Sequence, residues 1–352
     1  MGVFTEHSGT RPRLSDNPLC ELRRRPSPPA TVARWVDATP DPFPIRSGSR
    51  APLVSTREER LRGRLLTALS SDAGGSPPWI RALADGDDTG YFEEEGAVWT
   101  VHSGMGTLVA GIRALLMQAL HPGALAGVHD WSRYRDDPMG RLTGTVRWVI
   151  TLTYGSREQT GREVGRVARF HDKVKGTYVA ADGAERSYSA EDADLAECVH
   201  LAFTDSFLAA HEMWGGPIPG GSDAYVREWA TAGTLMGVPH PPTTERELRG
   251  RMAGYLTAGT LRRDERVDEV VRFLRRIPFT GPMRPAYAVL FRGAVASIPK
   301  PCRRLLGLRR SPFPVVTATR LILAVTGRTL GGGPRAQDFA RRRLERLRTR
   351  TP

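Results

Sequence analysis

Between Met105 and Ala119 apolar residues recur at intervals of three and four: Met105, Leu108, Val109, Ile112, Leu115, Leu116 and Ala119. That spacing lines one face of a helix and does not suit a strand, where alternate residues face opposite ways. Only Arg113 and Gln118 are strongly polar, so the pattern predicts a helix over about 103–120 that is buried on most sides. Gly104, Gly106 and Gly111 would let a neighbouring helix come close. They do not form a nucleotide loop, because no strand precedes them and the G-x-G-x-x-G spacing is absent.

Two further helices are announced by their ends. Asp137 suits an N-cap, Pro138 the first helical position, and Gly155 a stop after Tyr154. Ser156 and Gln159 then make a capping box for a helix that carries His171. Helices are also expected at 55–71 (capped by Ser55), 190–214 (capped by Ser189), 223–236, 244–257, 265–276, 284–297, 313–327 and 336–348. The turn-rich stretch from Lys175 to Ser189 reads as a loop or a small hairpin around Asp182-Gly183. No βαβ alternation, internal repeat or sustained period of two is present, so the fold class is all-α, a multi-helix bundle.

Composition enters through what it excludes. Three cysteines, far apart and with no CxxC pair, leave neither a cysteine zinc site nor a disulfide framework. Residues 1–50, rich in Pro, Arg and Ser, read as disordered or extended and lack the apolar core of a signal peptide. No run of eighteen apolar residues occurs, and the chain is expected in the cytoplasm. A helical catalytic domain is expected over 51–330, followed by a basic helix or tail over 331–352. The net charge of +13 gathers near the C-terminus: from Pro299 onward fourteen Lys or Arg face two acids. One reading is a solvated arginine-rich helix; the other is peripheral contact with an anionic membrane, its Arg stems snorkelling. No specific nucleic-acid partner is expected.

Chemistry-bearing residues are few. Val164, Val167, His171 and Val174 fall at spacings of three, four and three, which sets an imidazole in an apolar seam. A buried neutral imidazole is a good iron ligand; the plain alternative is a core histidine that binds nothing. Arg141 and Thr145 lie one turn apart, and Trp148 continues their face. Arg141 could hold a carboxylate bidentately and Thr145 could donate to bound oxygen, or the helix could simply be solvated. An arginine at a helix start faces a positive dipole end, which favours an anionic partner. Arg147 lies about 120° round the helix from Thr145 and is expected to face water or another helix. His200, Thr204, Phe207 and His211 share a stripe, but it holds no metal motif; His200 and Asp205 read as structural. No G-x-S-x-G, Walker or H-E-x-x-H motif occurs.

The segments GIRALLMQALHPGALAGVHDWSRYRDDPMGRLTGTVRWVITLTYGS, RVARFHDKVKGTY and LAECVHLAFTDSFLAAHEMWGG together resemble the MpaB-type oxygenases, a family that includes the rubber oxygenases. The resemblance covers about residues 95–300. It implies an all-helical fold with a globin-like core and one haem b. It maps the family's Arg-x-x-x-Thr pair onto Arg141 and Thr145, and its iron-ligating histidine onto His171. The LMQALHP motif supplies His121, whose role stays open. Rubber oxygenases carry a lysine just before the Thr; here that residue is Gly144, which implies an open or water-filled sixth position. The expectation is a haem-dependent oxygenase using dioxygen on a small apolar substrate, with walls from the helices of Leu116, Trp148 and Phe207. The rival is an iron-free helical protein that binds a lipid or isoprenoid.

Overall fold

The computed structural model describes residues 57–70, 72, 74–331 and 335–350. The expectations for residues 1–50, the Ser55 cap and Cys20 lie outside them. Along the chain the α-helices are α1 (Arg57–Ser70), α2 (Pro78–Arg81), α3 (Ala97–Ser103), α4 (Thr107–Gln118), α5 (Pro122–Trp131), α6 (Pro138–Tyr154), α7 (Arg157–His171) and α8 (Ala193–Trp214). Then come α9 (Gly221–Leu235), α10 (Glu245–Thr257), α11 (Glu265–Arg275), α12 (Met283–Ser297), α13 (Lys300–Leu305), α14 (Val315–Leu330) and α15 (Ala336–Arg350). Strands β1 (Lys175–Val179) and β2 (Glu185–Ser189) pair antiparallel, Lys175 opposite Ser189, with Gly183 in the turn at φ +86°. The all-α class holds, and the hairpin sits where the turn-rich stretch placed it.

The helix ends follow the capping chemistry. Asp137 accepts from the Gly140 N–H at 2.9 Å, and Ser156 with Gln159 forms a reciprocal capping box. The long core helix departs from expectation. Gly104 is extended and interrupts it, so α3 ends at Ser103 and α4 begins at Thr107. The segment after His121, expected as a connection, is the helix α5. Pro122 takes its first position and the His121 side chain caps it, Nδ1 accepting from the Ala124 N–H at 3.3 Å. At this break α4 and α5 meet at 108°. Ser189 ends β2 rather than capping α8; Asp192 holds the N-cap position, and its carboxylate accepts from the Ser189 N–H.

The buried α8 runs through the centre with α4 along it. Gly106 permits that approach, since a Cβ there would stand 3.3 Å from the Ala210 carbonyl; Gly111 faces open space and plays no such part. One apolar cluster joins α3, α9 and α15 to α8 through Trp99, Phe207, Trp229 and Phe339. A second joins α4, α11, α12 and α14 through Leu116, Val271, Phe291 and Leu323. No single helix among the described residues is long and apolar enough to cross a membrane.

The last helix is not a loose tail. Phe339, Ala340, Arg343 and Leu344 of α15 are buried. Arg343 donates to the carbonyls of Leu83 and Tyr154, Arg346 to those of Ala84 and Gly86, and Arg341 and Arg348 pair with Glu94. Arg341, Arg343 and Arg346 therefore clamp the chain between α2 and α3, while Arg342, Arg348 and Arg350 are exposed.

Candidate functional site

The capping box turns the chain sharply from α6 into α7 across Gly155 and Ser156, and the two helices pack on each other. This brings Arg141, near the start of α6, into electrostatic contact with His171, the last residue of α7. The three residues picked from the sequence therefore lie along one helix pair. Arg141 Nη1 donates to the Thr145 hydroxyl at 2.5 Å, and that hydroxyl leans on the Arg141 carbonyl at 3.2 Å. Thr145 thus fixes the guanidinium, and its own proton is directed to the backbone. Burial of its guanidinium, then the charge of Arg166, lowers the pKa of Arg141. Among the described residues it has no carboxylate partner.

His171 is half-buried at the helix end, not deep in a seam. Val164 and Val167 are half-buried too, Phe170 is 51% exposed, and Val174 belongs to a separate small cluster with Ala126, Tyr188 and Leu195. Burial, then the charge of Arg141, pushes the imidazole pKa down, while Asp172 pulls it up. The neutral ring is therefore favoured, and neither nitrogen has a protein partner among the described residues. The orienting hydrogen bond that metal-bound imidazoles ordinarily have is not supplied here by those residues.

Arg147 does not face water alone. Its Nε lies 3.2 Å from Glu163 of α7, whose side chain is 2% exposed and also receives Arg166 at 2.6 Å. Glu163 thus ties α6 to α7 through Arg147 and Arg166, and Arg141 stands on the same helix pair. Gly144 is half-buried, yet a Cβ there would meet nothing within 4 Å. Trp148 continues the face with a buried Nε1–H that has no partner among the described residues.

The walls divide. Trp148 meets Phe203 edge-on at 5.6 Å, and Phe203 stacks on Phe207 at 4.2 Å, so these belong together. Leu116 lies in the other apolar cluster and does not join them. His200 is buried beneath α9, where a Cβ on Gly233 would stand 2.9 Å from its ring; Asp205 pairs with Arg113 of α4 at 2.6 Å. Asp205 thus joins α8 to α4 as expected. His121 caps α5, with Nε2 3.6 Å from Asp194.

Sequence reasoning passed over His102. It sits in the core with Nδ1 2.8 Å from Thr153 and Nε2 3.1 Å from Tyr225. Thr153 donates to the Val149 carbonyl, so its oxygen accepts from Nδ1–H and Tyr225 donates to Nε2. The ring is neutral and fully satisfied: burial, then the charge of His211, pushes its pKa down to about 3. The only signal was one imidazole inside the apolar run AVWTVHSG. Among the described residues no three His, Cys, Asp or Glu converge to hold a metal ion unaided; an axial haem ligand needs only one.

The family model described as ER-bound oxygenase mpaB/B'/rubber oxygenase, catalytic domain, matches residues 99–331. That span takes in α4 to α14 and every residue of the α6/α7 face. No curated protein and no solved structure matches the chain.

Proposed function

This chain belongs to the ER-bound oxygenase mpaB/B'/rubber oxygenase family, and from that premise we propose a haem b-dependent oxygenase acting on an apolar organic substrate. The observation that carries the reading is an imidazole whose pKa is pushed down and which has no hydrogen-bond partner, beside a guanidinium with no carboxylate partner, among the described residues. The residues suit the group. His171 would be the protein's ligand to the iron. Arg141, which has no carboxylate partner among the described residues, would pair with a carboxylate of the haem. A Cβ on Gly144 would meet nothing within 4 Å, and the apolar side would be supplied by Trp148, Phe203 and Phe207.

When bound, haem supplies dioxygen binding and electron transfer. The chain's part is to place and shield. Arg141 would grip a carboxylate, its guanidinium held by Thr145. The Thr145 hydroxyl would donate to a bound molecule only after rotating its proton off the Arg141 carbonyl. Gly144 has no side chain that could ligate an iron.

The test is the absorption spectrum of the purified protein titrated with haemin. One Soret-absorbing haem per chain supports the reading; failure to hold haem leaves the iron-free lipid or isoprenoid binder.

For membrane contact we infer a different surface from the last helix. Phe313, Leu321 and Val325 are 56%, 63% and 46% exposed, and Arg309, Arg310, Arg320 and Arg328 are exposed around them. We propose that this face of α14 meets anionic lipid. Co-sedimentation with phosphatidylserine vesicles at low salt should be lost in Leu321→Glu/Val325→Glu; unchanged binding in that variant would refute it.

A further inference from the structure

Across α8 from the proposed haem face lies a second cleft, about 660 Å³ in volume. The helix separates the two by its own geometry. Phe203 and Phe207 point one way, and Asp205, two residues from each, lies roughly 160° round the wheel, with Ala209 and Glu212 continuing its stripe. The cleft runs between α10 and α13 above the α4–α8 pair. Its walls are Met117, Met213, Met252, Ala253 and Leu256 together with the Glu212–Arg249 ion pair, whose charges meet each other at 2.9 Å. Unbranched methionines adapt to apolar ligands of varied outline, and the volume is that of an ordinary small-molecule site.

The floor carries the specificity. Arg113 is 1% exposed. Its Nη2 donates to Asp205 Oδ2 at 2.6 Å, its Nη1 to the Ser206 hydroxyl at 2.8 Å, and its Nε to the Ser297 carbonyl at 3.5 Å. A guanidinium has five N–H donors, so two have no acceptor among the described residues. Asp205 Oδ1 likewise accepts from no described residue. The floor thus offers a buried donor and a buried acceptor with no net charge between them. A carboxylate would meet Asp205 and an ammonium would meet Arg113, each leaving a charge poorly paired in a water-poor place. A ketone oxygen can accept from Arg113, and a hydroxyl can also donate to Asp205, at no such cost.

We propose that this cleft binds a small apolar molecule bearing one neutral oxygen group, a ketone or an alcohol, with the oxygen on Arg113 and Asp205. The site stands apart from the α6/α7 face and does not depend on haem.

The test uses the full chain and the neutral naphthalene ketone prodan, whose emission shifts blue in apolar surroundings. One saturable, blue-shifted site per chain is expected. Ala253→Trp fills the cleft from an exposed position of α10, so the fold, followed by circular dichroism, should hold while prodan affinity falls at least about tenfold. Haemin binding by this variant should be unchanged. Decan-2-one and decan-1-ol should displace prodan at concentrations roughly tenfold below those of decanoate or decylamine, as one well-placed neutral hydrogen bond requires. Absence of a saturable site overturns the proposal, as does a folded Ala253→Trp that binds prodan normally. Equal or better displacement by decanoate or decylamine overturns its chemistry.

Discussion

Replacing Glu163 should cost less than replacing the two arginines that hold it. The Glu163 side chain is 2% exposed, whereas those of Arg147 and Arg166 are 43% and 44% exposed. In Glu163→Gln no charge is left buried. Both guanidinium groups can turn to water, and the loss is that of charge-assisted hydrogen bonds partly recovered by solvation, about 1–2 kcal/mol. In Arg147→Met/Arg166→Met a carboxylate stays buried between α6 and α7 with no cation of that pair, and breaking a buried pair in this direction costs about 3–5 kcal/mol. Urea unfolding of both variants, followed by circular dichroism, measures the difference. Equal costs, or a larger cost for Glu163→Gln, would refute the view that Glu163 is the buried tie and its partners are the exposed ends. For the same reason Arg147→Ala is not a silent control for Arg141→Ala.

Three other outcomes follow from burial and packing. His102 and His200 have pKa values pushed by burial down to about 3 and about 4, with the charges of His211 and Arg251 respectively as the second cause. Both lie below the ordinary 6.5 of the unfolded chain, so the unfolded state gains protons first as pH falls; stability is full above about 6.5 and should drop by about 2 kcal/mol per histidine between pH 8 and pH 5. Identical urea midpoints at those two pH values would contradict this. Gly144→Ala, with nothing within 4 Å of its new Cβ, should stabilise α6 by up to about 1 kcal/mol. Gly293→Ala should instead destabilise by about 1–3 kcal/mol, because its Cβ would stand 2.5 Å from Thr319 Oγ1 where α12 meets α14; thermal melts that show the same sign for both would refute the packing assigned to them. Arg343→Met should cost about 3 kcal/mol by orphaning the Leu83 and Tyr154 carbonyls, and a melt like that of the parent would mean that α15 is only an accessory.

Local physics carried far into this fold. The ends of α6 and α7 followed from Asp137, Pro138, Gly155 and the Ser156–Gln159 box, because caps are short-range chemistry written in consecutive residues. That adjacency also brought Arg141, Thr145 and His171 together. The helix α5 was missed because a histidine is an uncommon N-cap, and its Nδ1 does the work usually done by Ser or Asp. The partners of Arg113, Arg147 and Arg343 were illegible for another reason. A charged residue on a helix reads as solvated until a distant segment, here Asp205, Glu163 or the Leu83 carbonyl, is packed against it. The packing of the basic C-terminus was hidden by that route. Its periodicity was that of an amphipathic helix, and periodicity does not say whether protein or lipid covers the apolar face.

The central claim, that the imidazole of His171 holds a haem, is tested most directly by the Soret spectrum of His171→Gly loaded with haemin, without and with added imidazole. The account predicts that haem is lost or its band displaced in the variant, and that free imidazole restores the parent spectrum. His121→Ala and His200→Ala should keep the parent band. A His171→Gly protein that retains haem with the parent spectrum and ignores imidazole would contradict the account. A loss confined to the His121 or His200 variant would move the ligand to another helix.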